Sequence, residues 1–560
     1  MVGVLSQHFF FRLALEDLSI YARRCAFAAS FHMSKRTSDT ELSTADAELP
    51  KRLKLEVQDT KERTTEAAGS SKFSLSTKDK KKLRLDRRRR YDHAQSASKA
   101  EHSDTPKEPR LPKRECALMI GFCGSAYRGM QFQKAQAGLP EPRTIEGELF
   151  RALIAVGAVS KDNAADPIKA GCSTSHTAAR TDAGVHAVGN LVSMKMITEI
   201  PGVEDLRSDI NSKLPKDIRL WGFQRVQQSF NARKFCDARK YTYFFPSYLL
   251  IPPKPGSGLD RVLREYAASQ DLEVEWKDDP FWSAVDIALS TPQKDMVRKR
   301  AWRATPSHIE RLRHAVKKYE KTHNFHNFTV ARDPKDKTNE RYMKELEVSE
   351  PCVYGETEWF AVSLHGQSFM LHQRKMMFAL IMICRTGTPV SVLDELMSLT
   401  MVNIPKMPAL GLLLEHPIFH GYNTKIAKHN GTKPPSDSDY REPINFDNYA
   451  EEMNMFKQKY IYDNMQRIED RKGLFDAWIR SVDSYGGNDL LYLNLRGEVP
   501  PDAVLKKGER RELPFRERKV FNLTSFAEDD NVKVEADMWD EAEVDTEENL
   551  SKKELLEAEG

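Results

Sequence analysis

The chain of 560 residues has only seven cysteines, and no two of them form a C-x-x-C pair. Such scattered cysteines exclude a disulfide framework and a zinc-finger pattern, and they favour a reducing compartment. Long apolar runs are also missing. The longest, from Met376 to Cys384, has nine residues, whereas a membrane-spanning helix needs about 18–20. The sequence therefore excludes an integral membrane protein, and we expect no membrane partner.

The chain also has no large excess of one charge sign, since it contains 86 Lys and Arg residues and 82 Asp and Glu residues. The charges are unevenly distributed, however. From Glu528 to Gly560 there are 14 acidic residues and three lysines, a net charge of −11. The rest of the chain therefore carries +15, given the total of +4. A basic body with an acidic tail predicts a polyanionic partner, most simply nucleic acid.

Within the N-terminal segment, the stretch from Ser34 to about Arg114 is poor in aromatic residues and rich in charge, which predicts disorder. The first 32 residues of the chain suit a mitochondrial presequence or, equally, an unstructured extension, and Met33 could serve as a second start. Lys78 to Arg90 contains nine basic and two acidic residues, a composition typical of nuclear import signals and of RNA-binding tails. We favour import and expect a nuclear protein, with a mitochondrial form as the alternative.

From about Cys116 the sequence alternates between strand and helix signals. Ala117 to Cys123 predicts a buried strand, and Thr144 predicts the N-cap of a helix that ends at Gly157. Ser307 and Glu310 are read as the capping box of a later helix, and Ser391 as the cap of a short one. No regular βαβ rhythm appears, so we predict an α+β fold with a largely antiparallel central sheet and flanking helices.

The most informative motif places a cation two residues before a carboxylate, in the stretch Arg180-Thr181-Asp182-Ala183-Gly184-Val185-His186-Ala187. Asp-Ala-Gly alone is an ordinary turn. In an extended segment, however, residues i and i+2 share a face, which would place Arg180 beside Asp182. A neighbouring cation keeps a carboxylate ionised, as a nucleophile requires.

This motif resembles the active-site signature of the TruA family of tRNA pseudouridine synthases. Further blocks resemble the family in the family's own order: Gly121 to Gln131, Thr144-Ile145-Glu146, Asn211 with Leu214-Pro215 and Asp217-Ile218, Phe230 to Arg233 with Arg239 to Tyr243, Thr322 to Thr329 and Ser368 to Met376. The resemblance covers roughly residues 116–422. The basic leader and the segment Phe475-Asp476-Ala477-Trp478 resemble the eukaryotic, fungal-like branch, which extends the likeness to about Pro500.

The resemblance implies a pseudouridine synthase fold, with two α/β halves around a basic catalytic cleft. It implies an isomerase that needs no cofactor and converts uridine to pseudouridine in tRNA, in the anticodon stem-loop region, and in other structured RNA such as snRNA or mRNA. A paired uridine must first be flipped out of its stem. We expect a monomeric enzyme.

Particular residues receive roles from the resemblance. Asp182 would be the nucleophile, with Arg180 and Arg374 as catalytic cations. Attack on the sugar, attack on the ring and assistance of glycal formation all remain open for Asp182. The implied substrate-binding residues are Tyr241, Arg239, Tyr127, Gln131 and His323.

Composition and the resemblance together suggest an organisation in six segments. Residues 1–114 form the disordered leader, 115–250 the N-terminal catalytic half, 251–303 a polar insertion and 304–425 the C-terminal catalytic half. Residues 426–505 form a helical extension, and 506–560 an acidic disordered tail. Zinc is described for some eukaryotic relatives, but no ligand cluster here has the spacing of a structural zinc site. His323, His326 and His372 are therefore interpreted as packed core histidines.

Two departures from the family pattern bear on activity. An apolar residue usually separates the last Gln and Arg, whereas here Gln373 directly precedes Arg374. Met407 and Pro408 stand where Ala-Pro is usual. The first departure leaves a catalytically impaired RNA-binding protein as an alternative. A metal-dependent nuclease is a weaker one, because two-metal chemistry needs several converging carboxylates and the motif supplies one.

Overall fold

The computed structural model describes residues 111–134, 140–164, 176–330, 332–506 and 508–521. Residues 1–110 of the predicted leader and the acidic cluster from Glu528 lie outside the described residues, and so do the presequence and the nuclear-import signal. The predicted end of the disordered leader at residue 114 is wrong, because Lys113 and Arg114 already belong to the first strand. Within these ranges no helix is long and apolar enough to cross a membrane.

A mixed sheet of nine strands forms the centre of the fold. In chain order the strands are β1 (Lys113–Phe122), β2 (His186–Ile197), β3 (Ile218–Arg225), β4 (Ala238–Pro246), β5 (Lys321–Asn324), β6 (Glu340–Val348), β7 (Cys352–Tyr354), β8 (Thr357–Gly366) and β9 (Leu412–Ile418). They lie in the order β3-β1-β2-β9-β4-β8-β6-β5, and β7 pairs with β8. Only β2 and β9 run parallel among the described strand pairs. The predicted α+β fold with a largely antiparallel sheet is confirmed.

Helices accompany the sheet along the whole described chain. They are α1 (Ile145–Ala155), α2 (Leu206–Lys213), α3 (Ala232–Phe235), α4 (Gly258–Ser269), α5 (Pro280–Ser283), α6 (Pro292–Ala301), α7 (Pro306–Lys317), α8 (Lys375–Arg385), α9 (Val392–Leu396), α10 (His420–Asn430), α11 (Ala450–Phe456), α12 (Asp463–Lys472) and α13 (Leu474–Asp483). Thr144 caps α1 through its side chain, as predicted. The predicted cap of α7 is wrong: Thr305 and His308 form the capping box, because Pro306 occupies the first helical position.

The parallel pair of β2 and β9 joins the early and late strands of the sheet. His186 pairs with Leu413, and Ala187 with Leu414. β4, from the segment predicted to end at residue 250, pairs with β8 and β9. The signature motif around Asp182 thus enters the sheet at the strand that joins its two parts.

Helix α8 is buried on all of its sides. Every residue from Met376 to Arg385 is buried, so the helix has no polar face. At its C-terminal end, Arg385 forms a buried ion pair with Asp483 of α13. This pair attaches α8 to the C-terminal part of the chain.

The C-terminal end of the described chain is ordered further than the sequence predicts. Phe521 is buried, and the Phe515 ring packs edge-on against Tyr485, with centroids 5.2 Å apart. Arg511 forms an ion pair with Asp489 at 2.5 Å. Because these contacts anchor residues 508–521 to the core, the prediction of a disordered tail from residue 506 is wrong for this stretch.

Candidate active site

The Asp182 turn is held against the loop that precedes α1. Gly184 adopts φ +78° in this turn, and Met130 N–H donates to the Thr181 carbonyl at 3.1 Å. His186 is fully buried and its Nδ1 accepts from Gly124 N–H at 3.1 Å. A Cβ on Gly124 would lie 2.0 Å from the Val185 carbonyl oxygen, so only glycine allows this close approach. The backbone therefore fixes where Asp182 points.

Asp182 lies between two donors from the segment before α8. Arg374 Nη1 donates to Asp182 Oδ2 at 2.6 Å, and His372 Nδ1 lies 3.1 Å from the same oxygen. The side chain of Arg374 is 2% exposed, that of His372 10% and that of Asp182 26%. The carboxylate of Asp182 is thus partly exposed to solvent, whereas the side chain of Arg374 is buried.

The electrostatics of this cluster favour an ionised carboxylate. Burial by itself would raise the pKa of Asp182, but the attraction and hydrogen bonds of His372 and Arg374 outweigh it. The pKa of Asp182 is therefore held well below its usual range, and the group is negatively charged at neutral pH. A nucleophile requires this state.

Arg374 reaches Asp182 despite the residue missing before it. His372 adopts a left-handed conformation, φ +58°, and the chain then turns directly into α8. Arg374 Nε donates to the Met407 carbonyl at 2.9 Å. Both departures from the family pattern therefore meet at one guanidinium, and its contacts with Asp182 and Met407 fix the plane of its fork. The predicted pairing of Arg374 with Asp182 is present.

The cluster opens into a cavity beside the sheet. The cavity encloses about 630 Å³, a figure that includes space open to solvent. Its lining combines the charged residues with an apolar wall: Arg180, Thr181, Asp182, Val185, Tyr241, Leu364, Phe369, Met370, Leu371, His372, Gln373, Arg374, Met376 and Leu412. A polar cluster on one side and flat apolar groups on the other can accommodate a planar, hydrogen-bonding base.

Tyr241 contributes an aromatic ring to this wall. It is buried in β4, opposite Leu414 and Leu364 of the neighbouring strands. Its ring packs edge-on against Phe369, with centroids 4.8 Å apart. Burial raises the pKa of Tyr241 well above its usual value, so the phenol keeps its proton at neutral pH and can donate it in a hydrogen bond.

Arg180 lines the cavity, and its charge also acts on the buried Glu146. Glu146 accepts hydrogen bonds from Phe132 N–H and Thr177 Oγ1, each at 2.8 Å. Burial raises the pKa of Glu146 to about 7, although these hydrogen bonds and Arg180 act in the opposite direction. Sequence reasoning assigned Glu146 no role, although it belongs to the quoted Thr144-Ile145-Glu146 block.

Four residues that the sequence assigned to substrate binding lie outside the cavity lining. Arg239 is buried and donates to the backbone carbonyls of Ala178 and Gln367. The Tyr127 hydroxyl donates to Asp217 at 2.8 Å. These two side chains hold the structure together, because their polar groups are used within the protein.

The other two are Gln131 and His323, both half-buried. His323 Nε2 lies 2.7 Å from the Glu320 carbonyl oxygen, and neither residue is among the residues that line the cavity. The structure therefore does not support a contact of these four residues with a base in the cavity.

His372 is the site residue that sequence reasoning missed. It was interpreted as a packed core histidine, yet its ring contacts the carboxylate of Asp182. Its position two residues before Arg374 in the same motif is the signal that could have identified it. His326, in contrast, is buried, and its Nε2 lies 3.1 Å from the Thr400 carbonyl.

The described residues offer no fitting site for zinc. Within the ranges given above, no group of three or more His, Cys, Asp or Glu side chains could hold a metal ion. The donor set that structural zinc needs is therefore not assembled among these residues.

Comparison with known proteins identifies the relatives of this chain. The sequence model of a family described as tRNA pseudouridine synthase matches residues 315–420, which include His372 and Arg374. The tRNA pseudouridine synthase 1 of Candida albicans is 38% identical over 435 residues, covering 68% of this chain and 68% of that protein.

Two proteins of Saccharomyces cerevisiae are also similar. Its tRNA pseudouridine synthase 1 is 38% identical over 419 residues, covering 68% of this chain and 73% of that protein. Its tRNA pseudouridine(27/28) synthase is 35% identical over 332 residues, covering 55% of this chain and 85% of that protein. The likeness extends well beyond the segment that the family model matches.

Proposed function

This chain belongs to the tRNA pseudouridine synthase family, and from this premise we propose that it isomerises uridine to pseudouridine in tRNA with Asp182 as the nucleophile. The observation that carries the proposal is the ion pair between Asp182 and Arg374, at 2.6 Å, between two residues that line the cavity beside the sheet. A carboxylate that is ionised, partly exposed and rigidly held is the group that nucleophilic chemistry needs.

The reaction rearranges bonds without a change in oxidation state. The bond between N1 of uracil and C1′ of the ribose breaks, and C5 becomes bonded to C1′. The proton on C5 leaves and N1 gains a proton, so atoms and electrons balance without a cofactor. Asp182 acts by attack on C1′, by attack on the ring or by assisting glycal formation, and Tyr241 is placed to relay a proton.

The target uridine must leave its stem before it can reach Asp182, because a stacked, paired base is inaccessible. Tyr241 and Phe369 supply the apolar wall for the flipped base. Arg180, which lines the same cavity, orients neighbouring groups or occupies the space that the base vacated. We propose the anticodon stem-loop region of tRNA as the main target, with other structured RNA such as snRNA or mRNA as further substrates.

The geometry argues against a catalytically impaired RNA-binding protein. That alternative rested on a displaced Arg374, but the guanidinium contacts Asp182. A metal-dependent nuclease would need several carboxylates converging on Asp182, and the groups that contact it are cationic or neutral donors. We further propose a monomeric, metal-independent enzyme that acts in the nucleus, supported by the basic segment Lys78 to Arg90.

The test is to incubate the full chain with an unmodified tRNA transcript carrying tritium at C5 of uridine. Pseudouridine formation releases the tritium, and addition of a chelator should leave the rate unchanged. Asp182→Asn keeps the shape of the side chain and should abolish release. Affinity for tRNA should stay within a few-fold, because binding comes mainly from distributed phosphate contacts. Parallel loss of RNA binding would show instead that Asp182 is structural.

A further inference from the structure

Residues 401–408 form an irregular segment whose backbone is held by the C-terminal part of the chain. Leu505 N–H donates to the Met401 carbonyl at 2.8 Å, and the Tyr492 hydroxyl to the Asn403 carbonyl at 3.2 Å. The segment lies outside the named strands and helices, so its polar groups need such partners from elsewhere.

Lys406 is held on both sides of its backbone. Its N–H donates to Glu517 Oε1 at 2.7 Å, and its carbonyl accepts from Trp478 Nε1 at 3.1 Å. The ammonium group of Lys406 also lies 3.4 Å from Glu517 Oε2. Glu517 and Trp478 together therefore fix the peptide groups that flank Lys406.

The next residue along the chain, Met407, contacts the active site. Its carbonyl accepts from Arg374 Nε at 2.9 Å, and the same guanidinium donates to Asp182. We propose that Glu517 is a positioning residue: by fixing the Lys406 backbone it holds the Met407 carbonyl that orients Arg374 against Asp182. This inference rests on the proposed function for its kinetic consequence, although the contacts themselves do not.

Two physical arguments support the proposal. A guanidinium has a planar fork of donors, so a second contact at Nε decides the angle at which Nη1 meets the carboxylate. A displacement of about 1 Å at a reacting group can cost about a hundredfold in rate. Glu517 is itself held in place, because Phe515 and Phe521 on either side of it pack onto the core.

The experiment compares Glu517→Ala with Glu517→Gln in the full chain. The alanine variant loses the acceptor for Lys406 N–H and should lower kcat about tenfold, with tRNA affinity unchanged. The glutamine variant keeps an acceptor oxygen and should retain most of the activity. Glu512→Ala is the matched control, since Glu512 is an exposed glutamate of the same segment, and it should behave as wild type.

A second measurement is independent of catalysis. Amide hydrogen exchange in a peptide that covers residues 401–408 should be faster in Glu517→Ala than in wild type, Glu517→Gln or Glu512→Ala, because local opening exposes the amides. Trp478→Phe removes the donor on the other side of Lys406 and should accelerate exchange as well. It serves as the second variant if Glu517→Ala does not fold.

The two readouts separate the possible failures. If wild type releases no tritium but amide exchange in residues 401–408 is faster in Glu517→Ala, the proposed function is wrong. The structural role of the Glu517 contact with Lys406 is then still supported. If exchange accelerates while kcat does not fall, Glu517 does not position Arg374. Equal loss of kcat in Glu517→Ala and Glu517→Gln would also overturn the proposal, since it would make the charge, rather than the hydrogen bond, responsible.

Discussion

Arg374→Ala tests the central ion pair of the site. The arginine is almost fully buried and donates to Asp182 at 2.6 Å and to Met407. Without Arg374 the carboxylate of Asp182 is no longer held in its reactive position. A displacement of about 1 Å at a reacting group can cost about a hundredfold in rate, so kcat should fall at least about a hundredfold.

The assay is single-turnover tritium release from C5-labelled tRNA, with Lys375→Ala as the neighbouring control that should change the rate little. The pH dependence gives a second readout. Arg374 lowers the pKa of Asp182, so its removal raises that pKa, and the loss of activity on acidification should begin at a higher pH than in wild type. A variant whose kcat stays within about threefold of wild type, where a loss of about a hundredfold is expected, would refute the assigned role of Arg374.

Three further predictions concern chain length, substrate shape and a buried acid. Insertion of isoleucine after Gln373 should preserve or raise tritium release, since α8 is apolar on all sides; restored activity in an otherwise inactive chain would mean that the missing residue is a lesion. Folded tRNA should be turned over and a linear oligonucleotide of the same local sequence should not, because A-form RNA is recognised by shape; equal turnover would contradict this. Glu146→Gln should flatten the pH dependence of Tm between about pH 5 and 8, as read by thermal melts: the raised pKa of Glu146, about 7, means that stability present below its unfolded-state pKa is lost as pH rises through 7. An unchanged pH profile would argue that Glu146 does not titrate in this range.

Features that depend on a few adjacent residues, such as the start of a helix, could be predicted from the sequence. Thr144 caps α1 because its side chain meets the N–H of Gly147 within the same turn. The cap of α7 was misplaced by two residues, because Thr305 followed by Pro306 is an equally good start signal and Pro suits the first helical position. Both outcomes depend on neighbouring residues alone.

Contacts between distant segments could not be predicted in the same way. Residues 506–560 are acidic on average, and this composition led to the prediction of a disordered tail. The average gave no weight to Phe515 and Phe521, the two aromatic residues that pack onto the core. His372 was assigned to the core from its apolar neighbours, yet its left-handed backbone directs it to Asp182, 190 residues earlier in the chain. Arg239 carries the right charge for RNA, but only the fold shows that its donors are used on backbone carbonyls.

The buried helix α8 also determines where the chain can change length. It begins directly after Arg374, which pairs with Asp182, and ends at Arg385, which pairs with Asp483. Eleven residues at 1.5 Å each make it a spacer of about 16 Å between the two pairs. An insertion before Arg374 leaves this spacing intact, whereas one inside the helix must separate one arginine from its carboxylate. Evolutionary gain and loss of residues is therefore expected at the entrance of α8 and excluded from its interior.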